Sequence, residues 1–120
     1  MLFENLNVWK RSSRLCCDIM EEFESNKNYA LKDQIFRSSL SIPSNIAEGE
    51  ERETLKEKIR FYYYAKGSCG EVITQLLIAI ETSNIHKKEG FRMLSEAREI
   101  AKVLATIIQN DKNKLKIKGK

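Results

Sequence analysis

The sequence predicts an all-α protein, an antiparallel up-down-up-down four-helix bundle, and three observations carry that reading. Apolar residues recur at spacings of three and four through four successive segments, the period of a helix face rather than of a strand. One proline and five glycines in 120 residues, with 42% hydrophobic and 32% charged residues, suit helices built around one core. The breaks between segments are short and polar, and short connections make neighbouring helices antiparallel.

The first helix is expected over about residues 5–24. Leu6, Trp9, Ser13, Cys16, Met20 and Phe23 alternate spacings of three and four, the seam of a bundle helix. Ser25 to Asn28 form a polar turn. The second helix is expected over 31–49, with Gly49 as its C-terminal cap. It contains the only proline, Pro43, where a helix interior loses a donor at about 3 kcal/mol. Ser38, Ser39, Ser41 and Ser44 are expected to bond the freed backbone there. Thr54 and Glu57 have the spacing of a capping box and open the third helix, 54–82. Its apolar stripe is Leu55, Ile59, Tyr62, Cys69, Ile73, Leu76, Leu77 and Ile80. Ser83-Asn84 closes it. The fourth helix, 86–110, has its seam at Phe91, Leu94, Ala97, Ala101, Leu104, Ala105 and Ile108. One domain of residues 1–110 results, with a basic tail, 111–120, expected to be disordered.

A polar pattern overlies this scaffold. Gln34, Arg37, Ser41, Asn45 and Glu48 share one stripe of helix 2, and Arg60, Tyr64, Ser68, Glu71 and Gln75 share one of helix 3. A hairpin turning at Glu51–Arg52 sets Arg37 opposite Ser68, Gln34 opposite Glu71, Ser41 opposite Tyr64 and Asn45 opposite Arg60, with an Arg37–Glu71 ion pair in reach. Gln34, Arg37, Ser41, Asn45, Arg60, Ser68 and Glu71 are therefore expected to form a semi-buried polar network. Gly67 and Gly70 each cost about 1 kcal/mol inside a helix, which predicts a close neighbour at their backbone.

The net charge is +4, and all of the excess lies in the last ten residues, where Lys112, Lys114, Lys116, Lys118 and Lys120 face a single acid. Basic residues also group on helix 1 (Lys10, Arg11, Arg14) and at the start of helix 4 (Lys87, Lys88, Arg92). No stretch has the roughly 18 apolar residues of a membrane span, and no signal-peptide pattern opens the chain, so a cytoplasmic protein without membrane contact is expected. Cys16, Cys17 and Cys69 lack metal-ligand spacing and read as reduced thiols. His86 is the only histidine, and no paired Glu-x-x-His, P-loop or Gly-x-Gly-x-x-Gly is present. Neither catalysis nor a metal or cofactor is expected.

Phe3, Leu6, Val8-Trp9-Lys10, Gln34-Ile35-Phe36-Arg37-Ser38-Ser39, the run Ser41-Ile42-Pro43-Ser44-Asn45-Ile46-Ala47-Glu48-Gly49, and Ala65-Lys66-Gly67-Ser68 with Glu71 form a specific set. On these residues the chain resembles the 23S rRNA intervening-sequence proteins, a family of small bacterial four-helix bundles, over nearly its whole length to about Asn110. It departs in having Ser38-Ser39 where small alanines are usual and Cys69-Gly70 after the Gly-Ser pair. The resemblance implies a ring-shaped oligomer, a homopentamer, and a link to nucleic acid, but no enzymatic activity. The accessory proteins of diversity-generating retroelements are similar in fold.

Two classes of function remain. In the first the protein binds RNA or DNA through Lys10, Arg11, Arg14, Lys87, Lys88, Arg92, Lys112, Lys114, Lys116, Lys118 and Lys120, with Phe61 to Tyr64 offering stacking surfaces. In the second it is a protein–protein adaptor or assembly scaffold that binds no nucleic acid. Clustered Lys and Arg on one ring face would favour the first, aromatics exposed on the assembled ring the second.

Overall fold

The computed structural model describes residues 2–118. Among them are four α-helices and no strand: α1 (Asn7–Phe23), α2 (Tyr29–Glu50), α3 (Leu55–Glu81) and α4 (Lys87–Lys118), with a 3-10 turn at Phe3–Asn5 before α1. Each helix packs on two neighbours, α1 on α2 and α4, and α3 on α2 and α4. Ser41 meets Ser68 while Ser38 meets Gln75, so α2 and α3 run antiparallel. Arg11 meets Glu96 while Asp18 meets Arg92, so α1 and α4 do too. The helices lengthen along the chain, from 17 to 22, 27 and 32 residues, in a body 53 Å long and 22 Å wide.

Local chemistry sets the helix ends. The Asn28 side chain caps α2, accepting from the Leu31 amide at 3.2 Å, so α2 starts two residues before the expected Leu31. Thr54 Oγ1 accepts from the Glu57 amide at 3.2 Å, while the Glu57 carboxylate turns to Arg60 instead of completing the capping box. At the end of α3, Asn84 N–H donates to the Ala79 carbonyl and Ser83 N–H to that of Ile80, a Schellman closure. Ser83 holds the left-handed position of that motif, φ 58°, which usually falls to glycine. Asn26 Nδ2 donates to the Asn84 carbonyl (2.8 Å), tying the two turns at this end together.

The core is contributed by all four helices, with Leu15, Ile19, Phe23, Ile35, Ile42, Ile46, Tyr62, Leu76, Met93, Ile100 and Leu104 among its sealed side chains. On α1 the buried line is Val8, Ser12, Leu15, Ile19 and Phe23. Of the expected seam, Cys16 and Phe23 are buried, whereas Trp9, Ser13 and Met20 are only half-buried. Two stripes of α1 have the right period, and the aliphatic one, with Val8, Leu15 and Ile19, takes the interior. Leu77 and Phe91, expected in the core, are 42% and 53% exposed.

Gly49 is not a cap. α2 continues through it to Glu50, and its backbone is not left-handed. A Cβ built there would stand 2.9 Å from Tyr62 Cδ1 and 3.3 Å from the Lys58 carbonyl, so the glycine exists to let the ring of Tyr62 lie against α2. Tyr62 is sealed, and its hydroxyl donates to Glu50 at 2.6 Å. Lys58 Nζ lies 5.3 Å from the ring centroid and 3.0 Å from buried Asp111 of α4. Burial, then the bond to Glu50, raises the Tyr62 pKa well above its ordinary value.

Asp111 also corrects the tail. Residues 112–118 continue α4 as helix rather than disorder, because Asp111, 3% exposed, anchors α4 to the first turn of α3 through Lys58. Lys120 lies outside the described residues. Pro43 is accommodated without the serines acting on the freed backbone. Ser39 donates backward to the Phe36 carbonyl, the Ser38 hydroxyl lies between the Gln34 carbonyl and Gln75, and α2 runs through the proline unbroken.

The polar network is smaller than expected and displaced by one turn. Ser41 faces Ser68 (2.8 Å) rather than Tyr64, and Asn45 Nδ2 donates to Ser41 Oγ (2.9 Å). The Ser38 hydroxyl donates to Gln75 Oε1 at 2.5 Å. These pairs set α3 at least one turn further along α2 than a tight turn at Glu51–Arg52 would, the chain running through the extended Thr54 (φ −111°, ψ 148°) before α3 begins. Arg37 pairs with Asp33 of its own helix at 3.1 Å with its side chain 76% exposed, and no Arg37–Glu71 pair forms. Arg60 pairs with Glu57, and the Gln34 and Glu71 side chains join no bond among the described residues.

Candidate nucleic-acid interface

The basic residues singled out from sequence separate into three groups. Arg11, Arg14 and Arg92 are structural cations. Arg11 makes a two-pronged pair with Glu96, Nε to Oε2 at 3.0 Å and Nη2 to Oε1 at 2.6 Å. Asp18 bridges Arg14 (3.0 Å) and Arg92 (3.1 Å), and Arg92 also pairs with Glu89. Those bonds raise the Arg92 pKa and hold the Glu89 carboxyl below its usual range. With Glu21 3.9 Å from Arg14, three cations meet four carboxylates, which fastens α1 to α4 and leaves no net positive charge in the cluster.

The second group forms one line. Lys87, Lys88, Arg98, Lys102, Lys112 and Lys116 project from the outer side of α4 within about a third of a turn of one another at 100° per residue. Phe91, Ser95, Ala105 and Gln109 fall between them, and every one of these residues is exposed. No acid lies inside the line; Glu99, at its edge, stands 3.6 Å from Lys102. From Lys88 to Lys116 it extends about 42 Å. Lys112 Nζ sits 5.0 Å from the ring centroid of Tyr63, so one aromatic face already carries a cation at the far end. Sequence reasoning missed Arg98 and Lys102. The signal that finds them is the three-and-four spacing of cations on the polar side of α4.

The third group is off this line. Lys114 and Lys118 turn to the side of Asp111, with Lys114 3.8 Å from its carboxylate. Lys10 is exposed on α1.

Of the four consecutive aromatics, Tyr62 is core, Phe61 stacks edge-on against Tyr64 (5.5 Å), and Tyr63 and Tyr64 are 42% and 49% exposed. Arg52 and Arg60 both lie over Phe61, at 5.3 and 5.2 Å, which occupies it as a stacking surface. His86 is exposed at the opposite end of the molecule, in an open polar cleft of about 730 Å³ with Asn26, Asn84 and Lys87. Cys16 and Cys69 are buried free thiols, and burial raises both, Cys69 to about 11; Cys17 is exposed. Among the described residues no three His, Cys, Asp or Glu side chains are grouped as metal ligands, and no helix is long and apolar enough to cross a membrane.

Fold and surface together define an all-α, antiparallel four-helix bundle with a cationic stripe along its longest helix. Residues 4–106 match the 23S rRNA-intervening sequence protein family, and the chain belongs to that family. It is similar to the crystal structure of a protein with unknown function from the S23 ribosomal protein family of Bacteroides thetaiotaomicron. The two share 26% sequence identity with a TM-score of 0.80, over 84% of this chain and 97% of the other. No curated protein matches the chain. The family match includes Lys87, Lys88, Arg98 and Lys102 and ends before Lys112 and Lys116.

Proposed function

We propose that this is a non-enzymatic RNA-binding protein that works as an oligomer, a homopentameric ring being the form its family resemblance implies, and that α4 is its nucleic-acid face. The observation that carries this reading is the stripe of six exposed cations without an intervening acid. Lys and Arg arranged along one helix neutralise successive phosphates and release counterions, which supplies affinity without sequence readout. Phe91 and Tyr63 offer faces on which an unpaired base can stack.

The test is fluorescence anisotropy with a structured RNA across a salt series. Replacing Arg98, Lys102, Lys112 and Lys116 together by Gln removes up to four phosphate contacts, so the slope of log K against log salt falls by about 3, at about 0.7–0.9 per contact. The control variant, Lys114→Gln with Lys118→Gln, keeps the wild-type slope. Cutting the chain at Asn110 is a poor substitute, because it removes the Asp111 anchor along with the lysines. Equal slopes for the two variants refute the α4 face. Absence of binding at low salt leaves the second reading, a protein scaffold, which the apolar groove described next favours.

A further inference from the structure

An apolar groove of about 380 Å³ opens between α1 and α2, lined by Phe3, Trp9, Met20, Leu40 and Pro43. Its α1 wall, Trp9-Ser13-Cys16-Met20, has the seam spacing expected of a core face, yet only Cys16 of it is buried and Trp9, Ser13 and Met20 stay half-buried. Leu40 is 52% exposed, and Ser13 Oγ is buried there without a hydrogen-bond partner.

A second unpartnered face lies on α3. Tyr64, Gly67, Glu71, Thr74 and Ile78 recur at spacings of three and four, with Gly70 and Leu77 beside them, all exposed. Ile78 and Tyr64 are about half exposed, and the Tyr64 hydroxyl has no partner among the described residues. Nothing lies within 4 Å of a Cβ built on Gly67 or Gly70, so the close neighbour their helix cost predicts is not within this chain. α3 and α1 are the diagonal pair of the bundle, so this stripe and the groove are separate surfaces of one molecule.

We infer that the α3 stripe of one copy seats in the α1–α2 groove of another. This rests on the oligomeric reading above and names its interface. The complementarity is chemical as well as apolar. The groove offers apolar walls, and the stripe brings the exposed side chains of Tyr64, Leu77 and Ile78 to fill them. The two glycines let the α3 backbone approach the groove walls closely. Glu71 of the stripe and Lys10 beside Ser13 form no ion pair within the chain and have opposite charge. Because the two surfaces differ, the contact is head-to-tail, so each copy has one face for each of two neighbours, the kind of contact from which a ring is built when its rotation closes.

The test uses Leu40→Glu, which spoils the groove, and Ile78→Glu, which spoils the stripe; both side chains are exposed, and an unchanged melting curve confirms the fold of each. Sedimentation velocity over a concentration series reads the mass. Wild type is expected to form multiples of the 13.9 kDa chain. Either variant alone weakens association on the order of 100-fold and sediments as a monomer. Mixed in equal amounts they form a heterodimer, since one sound groove and one sound stripe remain between them. A mixture that stays monomeric overturns head-to-tail pairing. A wild-type oligomer unaffected by both substitutions overturns these two surfaces while leaving oligomerisation intact, and a monomeric wild type overturns both.

Discussion

Replacing Gly49 by Ala should destabilise the bundle, although alanine is the better helix former by about 1 kcal/mol. The new Cβ would stand 2.9 Å from Tyr62 Cδ1 and 3.0 Å from Cε1, where carbon atoms prefer about 3.5–4.0 Å. The ring has little freedom to retreat, because its hydroxyl is held by Glu50 at 2.6 Å and Lys58 lies 5.3 Å from the ring centroid. Overpacking of this kind costs about 1–3 kcal/mol, and losing a bond to a charged acceptor about 1.5–3. Set against the helix gain, a net loss of about 2 kcal/mol is expected, a fall in thermal midpoint of roughly 6–12 °C for a chain of this size. Circular dichroism melts at one fixed protein concentration read it directly. A double-mutant cycle sharpens the test: with Tyr62→Ala already in place, Gly49→Ala should become neutral or stabilising. A Gly49→Ala midpoint at or above wild type would refute the packing argument.

Other consequences are as direct. Ser83→Gly relieves a left-handed non-glycine residue and should raise stability by about 1 kcal/mol, measured by urea unfolding. The Tyr62 hydroxyl has a raised pKa in the fold, so its contribution to stability is complete below the unfolded value near 10 and declines as pH rises beyond it. The thermal midpoint should therefore fall above about pH 10, and Tyr62→Phe should lose that part of the decline. Arg37→Ala should change stability by less than about 0.5 kcal/mol, since its pair with Asp33 is exposed; a larger loss would mean that Arg37 has a partner outside the chain.

The four helices and the Thr54 cap were legible because a helix face repeats every 3.6 residues and a capping hydroxyl acts locally. Orientation about the helix axis was less so. On α1, Val8-Ser12-Leu15-Ile19 and Trp9-Ser13-Cys16-Met20 both satisfy the period, and only packing against α2 and α4 decides which faces inward. Register across the α2–α3 hairpin depended on the path of the connector, and Ser41 met Ser68, one turn from the expected Tyr64. The helical run to Lys118 was hidden because Asp111 reads as one more polar residue, and its burial depends on Lys58, 53 positions away. For the candidate interface, composition exposed the lysine excess. Arg98 and Lys102 emerged only once helix 4 could be read as a cylinder and Arg11, Arg14 and Arg92 were seen to be neutralised.

The stepwise lengthening of the helices has a consequence for where the molecule can open. Four-layer packing exists only over the length of α1, whereas the end of α4 beyond Asp111 has no buried residue. Amide exchange along α4 should then be graded: slow at Ile100 and Leu104, intermediate at Ile108, and fast past Asp111, by local fraying that spares the cooperative unit. Lys112 and Lys116 stand on that loosely held stretch and Lys88 to Lys102 on the firm one. The same helix thus offers a ligand a fixed track and an adjustable end, and the adjustment leaves the core intact.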